Sequence, residues 1–184
     1  MIILKIITIA FLYFYNFFLF SQIMVFENFN EISNREWEFI SDQVMGGIST
    51  GSFSFLKEKE KNFIRLIGSV STENNGGFIQ ARKKIRKKIE QKPKIIKIIA
   101  RGNHNDYFLH LRTSYTILPW QFYQIKFSVT NQWQTFTFNL KDFKGSGKLL
   151  PRKINFENVK SLALVAIGRN HFVELDVSSI VFEN

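Results

Sequence analysis

The chain has no cysteine, and only three prolines and three histidines in 184 residues. Without thiols there is no disulfide framework, no thiolate metal site and no cysteine nucleophile. The histidines, His104, His110 and His171, show neither His-x-His nor His-Glu-x-x-His spacing, so a histidine-rich metal centre is not expected. The fifteen acids are scattered, and none stands beside a base at a spacing useful for proton transfer. The letters G-x-S-x-G occur once, at Gly47 to Gly51, but no helical pattern follows them as a nucleophile elbow requires, and neither glycine pair precedes Lys-Ser/Thr as a phosphate loop requires. No catalytic residue set and no cofactor are therefore expected. Heptads, internal repeats, domain linkers and long amphipathic helical patterns are absent too, and the length fits one domain with a full core.

Acidic residues are short relative to basic ones, and the formal charge is +10. One stretch supplies much of it: Arg82 to Lys94 holds eight basic residues against Glu90 alone. Such a cluster is either a solvated loop in a lysine-rich chain or an attractor for an anionic surface. Ile85 and Ile89 are its only large apolar residues. Nucleic-acid readers interleave aromatics or base-reading side chains with their cations, so no nucleic-acid partner is expected.

What the chain does have is apolar bulk: 45% hydrophobic residues, with 21 phenylalanines. At the amino terminus Ile6 to Phe20 is almost entirely apolar after Lys5. Residues 1–21 therefore read as a signal peptide or a membrane anchor, with Ser21 a candidate cleavage residue and 26–184 the folded domain. In both readings the domain works exported (periplasmic or extracellular) or membrane-anchored.

Beyond the leader the pattern is that of β-strands. Phe122–Val129 puts Tyr123, Ile125, Phe127 and Val129 on one face, and Gln134–Leu140 does the same with Phe136, Phe138 and Leu140. That period of two marks half-buried strands. Similar runs occupy Gly51–Lys57, Phe63–Ser71, Gly77–Lys84, Lys94–Arg101, Tyr107–Thr113, Lys160–Gly168 and Phe172–Phe182. Helical turns fit only Asn155–Val159 and the basic stretch. The expected fold is an all-β antiparallel sandwich.

Two segments carry most of the specific signal: Trp37 to Ser49 (WEFISDQVMGGIS) and Glu73 to Phe78 (ENNGGF). Each joins a polar cluster to a glycine pair, Gly46-Gly47 and Gly76-Gly77, where the chain can bend or pass tightly under a neighbour. Asp42, Gln43, Asn74 and Asn75 supply groups that staple loops or hold a ligand. With Ser41, Asp42 and Gln43 also make an oxygen-rich loop of the kind calcium favours, although an Asx-type turn accounts for the same residues. The two glycine pairs are expected to pack near each other, with Asp42 and Asn74-Asn75 bonded to the backbone between. Trp37, Trp120 and Trp133 can form a stacking platform or serve singly as core anchors. Arg101 and Arg112, on successive strands, can share a face, with Asp42, Glu73 or Asp106 as partners if they are half-buried.

The blocks SDQVMGGIS at 41–49 and GSVSTENNGGF at 68–78 resemble the signature of the complex I intermediate-associated protein 30 family, named for an assembly factor of mitochondrial NADH:ubiquinone oxidoreductase. Weaker echoes are Arg82, Arg101-Gly102, Tyr107, Arg112, Trp120 to Tyr123 and Phe172. The resemblance spans about Trp37 to Ile180 and looks like a stand-alone bacterial-type member. It implies a galactose-binding-like jelly roll and a non-enzymatic, chaperone-like assembly role. The functional expectation is a non-catalytic binding domain acting on a protein partner, in the family a membrane complex, with Asp42, Gln43, Asn74, Asn75 and Arg112 as binding residues. The alternative is an exported carbohydrate-binding module that uses Trp120 and Tyr123 as a stacking pair.

Overall fold

The structure, a computed structural model, describes residues 23–30, 36–86, 89 and 92–184. The leader expected over residues 1–21 lies outside the described residues. No helix among those described is long and apolar enough to cross a membrane.

Two antiparallel sheets stack face to face. The first runs β3 (Thr50–Glu58), β4 (Lys61–Val70), β12 (His171–Glu183), β6 (Ile95–Gly102) and β9 (Gln134–Asn139), with β1 (Ile23–Glu27) also on β12. The second runs β10 (Lys144–Gly145), β8 (Tyr123–Ser128), β7 (Asp106–Thr113), β11 (Val159–Ile167), β5 (Phe78–Lys84) and β2 (Trp37–Ser41). All nine runs read from the sequence are strands. β1, β2 and the two-residue β10 are additional, and Ile23–Phe26, which extends the leader's apolar run, belongs to β1. A 3₁₀ turn at Phe156–Asn158 falls where a helical turn was expected.

Alternation decides which side chains enter the core. Ile96, Ile98 and Ala100 of β6 face Leu109 and Leu111 of β7 and Leu162, Leu164 and Ala166 of β11 across a dry interior. β12 is the long central strand of the first sheet. Its buried positions run Val173, Leu175, Val177 and then Ile180, Phe182. The change of parity comes from a bulge between Val177 and Ser179, which inserts one residue and re-aims the rest of the strand. One edge of β12 thereby serves β4 over 171–177 and β1 over 180–183.

One ion pair ties the sheets together inside this core. Glu27, on β1, accepts from Lys83 Nζ of β5 at 2.6 Å and from Trp37 Nε1 of β2 at 3.0 Å. It also caps the amides of Asn28 and Phe29 at 2.9 and 2.8 Å. Trp37 is consequently a core anchor, tilted against Phe29. A buried carboxylate is tolerable only with such a full set of donors. Glu27→Ala should therefore destabilise the domain by about 2–4 kcal/mol, because it leaves the Trp37 N–H and the Asn28 and Phe29 amides without their acceptor and Lys83 with Glu36 alone, at 2.6 Å. Chemical denaturation measures it; a loss below about 1 kcal/mol would mean that water reaches Lys83 readily.

Candidate functional site

The loop that follows β2 begins with a 3₁₀ turn, Asp42–Met45, capped by the Ser41 hydroxyl and closed by Gly46 at φ +89°. Asp42 is fully buried. Its carboxylate accepts from the Ser49 amide at 2.9 Å, from the Ser49 hydroxyl, from the Gly77 amide at 2.5 Å and from the Phe78 amide at 3.2 Å. Ser49 Oγ in turn receives the Ser71 amide at 3.0 Å. Both glycine pairs pack on this one group: a Cβ at Gly47 or Gly76 would overlap the Asp42 carboxyl. Gly77, at φ +131°, adopts a backbone that other residues avoid. Burial alone would push the Asp42 carboxyl up, but the donors on Ser49, Gly77 and Phe78 outweigh it and hold it below its ordinary value. With both oxygens engaged by protein donors, Asp42 staples the loops instead of offering a cation its ligands.

The asparagines act differently from expectation. Asn74 and Asn75 take left-handed backbone, φ 55° and 58°, and turn the chain without stapling it. Asn170 anchors that turn, accepting from the amide and hydroxyl of Thr72 at 2.7 and 2.9 Å. Gln43 is also structural, donating from Nε2 to Ser49 O at 3.1 Å.

The staple fixes one rim of a cleft of about 830 Å³ on the outer face of the second sheet. Its floor is laid out by strand register. Phe78 of β5 lies opposite Ile167 of β11. Ile40, Gln80, Val165 and Phe108 form the next row across β2, β5, β11 and β7. Then come Glu38, Arg82, Ala163, His110 and Gln124, and finally Lys84, Ser161 and Arg112. Val44, Met45 and Trp120 stand on the rim, 73%, 57% and 64% exposed. The lining is mainly apolar.

Arg112 positions the opposite rim. It donates to the carbonyls of Thr116 and Leu118, both at 2.9 Å, and of Pro119 at 3.1 Å, holding the loop that presents Trp120. Burial and the neighbouring Arg82 charge lower its pKa. His110 stacks on Phe122 with centroids 4.0 Å apart. It is 6% exposed, and its Nε2 has no partner among the described residues. Burial pushes this imidazole down to about 4 against the opposing bond to Gln124, so it is neutral at pH 7.

Several sequence expectations are corrected. Tyr123 is a core residue bonded to Pro151 O at 2.8 Å, because its strand parity opposes that of the cleft face; it cannot stack beside Trp120. The three tryptophans do not meet: Trp37 is in the core and Trp133 packs on Phe63 on the first sheet. Arg101 and Arg112 belong to different sheets, since the chain crosses the sandwich between β6 and β7. Arg101 pairs with Asp176 and Glu58 at 2.9 and 2.6 Å, while Arg112 takes carbonyls and no carboxylate. The cleft residues Val44, Met45, Phe78, Gln80, His110 and Ser161 were not singled out from sequence. Their signal was β11 itself, VKSLALVAI, which is apolar on both faces although a solvated outer face should be polar.

Among known proteins, residues 24–176 match the family described as complex I intermediate-associated protein 30. The chain belongs to this family. No curated protein matches the sequence closely enough to count as a relative. Of solved structures, the family 11 carbohydrate-binding module of the Clostridium thermocellum cellulosomal cellulase Lic26A-Cel5E is similar at TM-score 0.71 and 14% identity, over 88% of this chain and 94% of that one. The same module in complex with a β-1,3-1,4-mixed-linked tetrasaccharide gives 0.70 and 13%, over 87% and 94%. An exo-β-agarase gives 0.58 and 9%, over 89% of this chain and 25% of the agarase. These likenesses show the fold, a jelly-roll sandwich of the carbohydrate-binding-module kind.

The staple makes a prediction with a sign. A carboxyl held low in the folded state contributes stability at pH values above its unfolded pKa, about 3.9, and loses it as pH falls through the folded value. Asp42→Asn should cost about 2–4 kcal/mol at pH 7, and the gap to wild type should narrow steadily below about pH 4. Thermal melts of both proteins across pH 2.5–7 (the range about the unfolded value) test it; a gap independent of pH would show that the charge is not what matters. Gly47→Ala should be destabilised by a similar few kcal/mol, through the overlap with Asp42.

Proposed function

We propose that this member of the complex I intermediate-associated protein 30 family is a non-catalytic binding domain that recognises a protein partner at or near a membrane through the cleft on its second sheet. The observation that carries the reading is the mainly apolar cleft, rimmed by exposed Val44, Met45 and Trp120 and held rigid from both sides, by Asp42 and by Arg112. Exposed apolar clusters of this kind mark interaction surfaces. Among the described residues no group of three or more His, Cys, Asp or Glu side chains is arranged to hold a metal. The acids nearest the cleft are committed: Asp42 to amides and a hydroxyl, Glu38 to Arg82 at 2.7 Å. A hydrophobic leader would bring the domain to a membrane or across it.

The carbohydrate reading draws support from the fold and from one exposed indole lining the same cleft as the Gln80 amide. Its weakness is the floor. Sugar sites pair an aromatic face with several converging polar groups, and here Ile40, Ala163, Val165 and Ile167 make up much of the surface beneath the rim.

The double variant Met45→Ser/Trp120→Ala should keep the wild-type melting temperature, since both side chains are exposed, and should retain at least about tenfold less of the membrane-derived partner captured by wild type. Equal capture by the variant would overturn the assignment to the cleft. Titration with the mixed-linked tetrasaccharide should leave tryptophan fluorescence unchanged; a saturable change abolished by Trp120→Ala would move the assignment to carbohydrate.

A further inference from the structure

The cleft does not end where its apolar floor ends. A second pocket of about 390 Å³ adjoins it and shares Arg82, Arg112 and Ser161 with it. Lys84, Arg86 and Lys160 complete its cationic lining. Glu38 pairs with Arg82, but Lys84, Arg86, Arg112 and Lys160 form no ion pair with a carboxylate among the described residues. The outer face of the second sheet is therefore graded along its strands, from Phe78 and Ile167 at one end to Lys84, Ser161 and Arg112 at the other. Side chains two residues apart on a strand are about 6.7 Å apart, so the three steps from Phe78 to Lys84 span roughly 20 Å. That is the length of about six extended residues.

We infer that the occupant is an extended peptide segment of a partner protein, apolar at one end and acidic at the other, whose carboxylates sit at the Arg82–Arg112–Lys160 end. This rests on the cleft being the binding site, as proposed above, and names the chemistry that the site selects. Charge complementarity sets the acidic end: four cations without carboxylate partners among the described residues line one pocket, and their summed field attracts an incoming carboxylate. The floor favours a peptide over an acyl chain. Gln80 and Arg82, both half-buried, interrupt the apolar rows with an amide and a guanidinium. Peptide N–H and C=O groups can bond these, whereas a hydrocarbon chain would leave them unsatisfied.

The test uses the purified full chain and three synthetic peptide pools. Each pool has three randomised apolar positions joined, in both chain directions, to three Asp/Glu, three Asn/Gln or three Lys/Arg. The acidic pool should be retained at least about tenfold over the other two at low salt, with the preference shrinking as ionic strength rises past the point where the Debye length falls below about 5 Å. Lys84→Glu/Lys160→Glu, which changes two exposed side chains, should erase or invert that preference. Equal retention of acidic and neutral pools would overturn the acidic specificity while leaving the cleft as an apolar site. Retention of the acidic pool unchanged in Met45→Ser/Trp120→Ala, or of no pool at all, would overturn the peptide assignment and the cleft reading together. Displacement of the acidic pool by dodecanoate, bound one to one and more tightly than any peptide, would make the occupant an anionic amphiphile and overturn the peptide.

Discussion

The carboxylate of Asp42 is the constraint on which the site depends. It sits fully buried between two loops that are far apart in sequence and joins the end of β2 to the start of β5 through the Gly77 and Phe78 amides. A carboxylate in that position must be saturated with donors, and the chain supplies them only if both loops adopt one geometry. The glycines follow from this. Gly47 and Gly76 are glycines because the carboxyl occupies the space of their Cβ atoms, and Gly46 and Gly77 because the turns around it require positive φ. One buried charge therefore dictates four glycines, a serine and two loop paths, and it sets Val44 and Met45 on the rim of the cleft.

This explains what was legible in the sequence. The strands announced themselves by alternation, because a two-layer sandwich imposes period two on every strand with one wet face. The glycine pairs were legible for the same reason: only close approach or positive φ demands them. What could not be read was which polar residue did the stapling. Asp42 and Asn74-Asn75 look alike as turn formers, and only the folded contacts separate a carboxylate that collects amides from asparagines that simply tolerate left-handed backbone. β1 and β2 escaped notice because five-residue strands give too few alternations, and β1 abuts an apolar leader that hides its boundary.

The cleft was the least legible part, since it is assembled from one face of several strands. Its residues are dispersed from position 40 to position 168 and converge only through register. Tyr123 shows how narrow the margin is. It is three residues from Trp120 in sequence, yet the parity of β8 sends its ring into the core while Trp120, in the turn that precedes the strand, stays on the rim. A one-residue difference of parity moves a side chain through the full thickness of the sheet.

The two outer faces of the sandwich differ in a way that bears on function. On the first sheet the two arginines are neutralised within the fold. Arg65 and Arg101 both pair with Asp176, which is 2% exposed, Glu58 takes the remaining edge of Arg101, and Trp133 covers its guanidinium at 4.5 Å. On the second sheet Arg112 is satisfied by carbonyls that accept its hydrogen bonds but do not cancel its charge, and Lys84 and Lys160 beside it pair with no acid among the described residues. The same chain that neutralises buried arginines on one face leaves a row of cations next to an apolar floor on the other. Unpaired like charges held close together raise the energy of the unbound state, and that cost is recovered only when an anion arrives. The proposed assignment of binding to the second sheet rests on this asymmetry, which holds independently of the family to which the chain belongs.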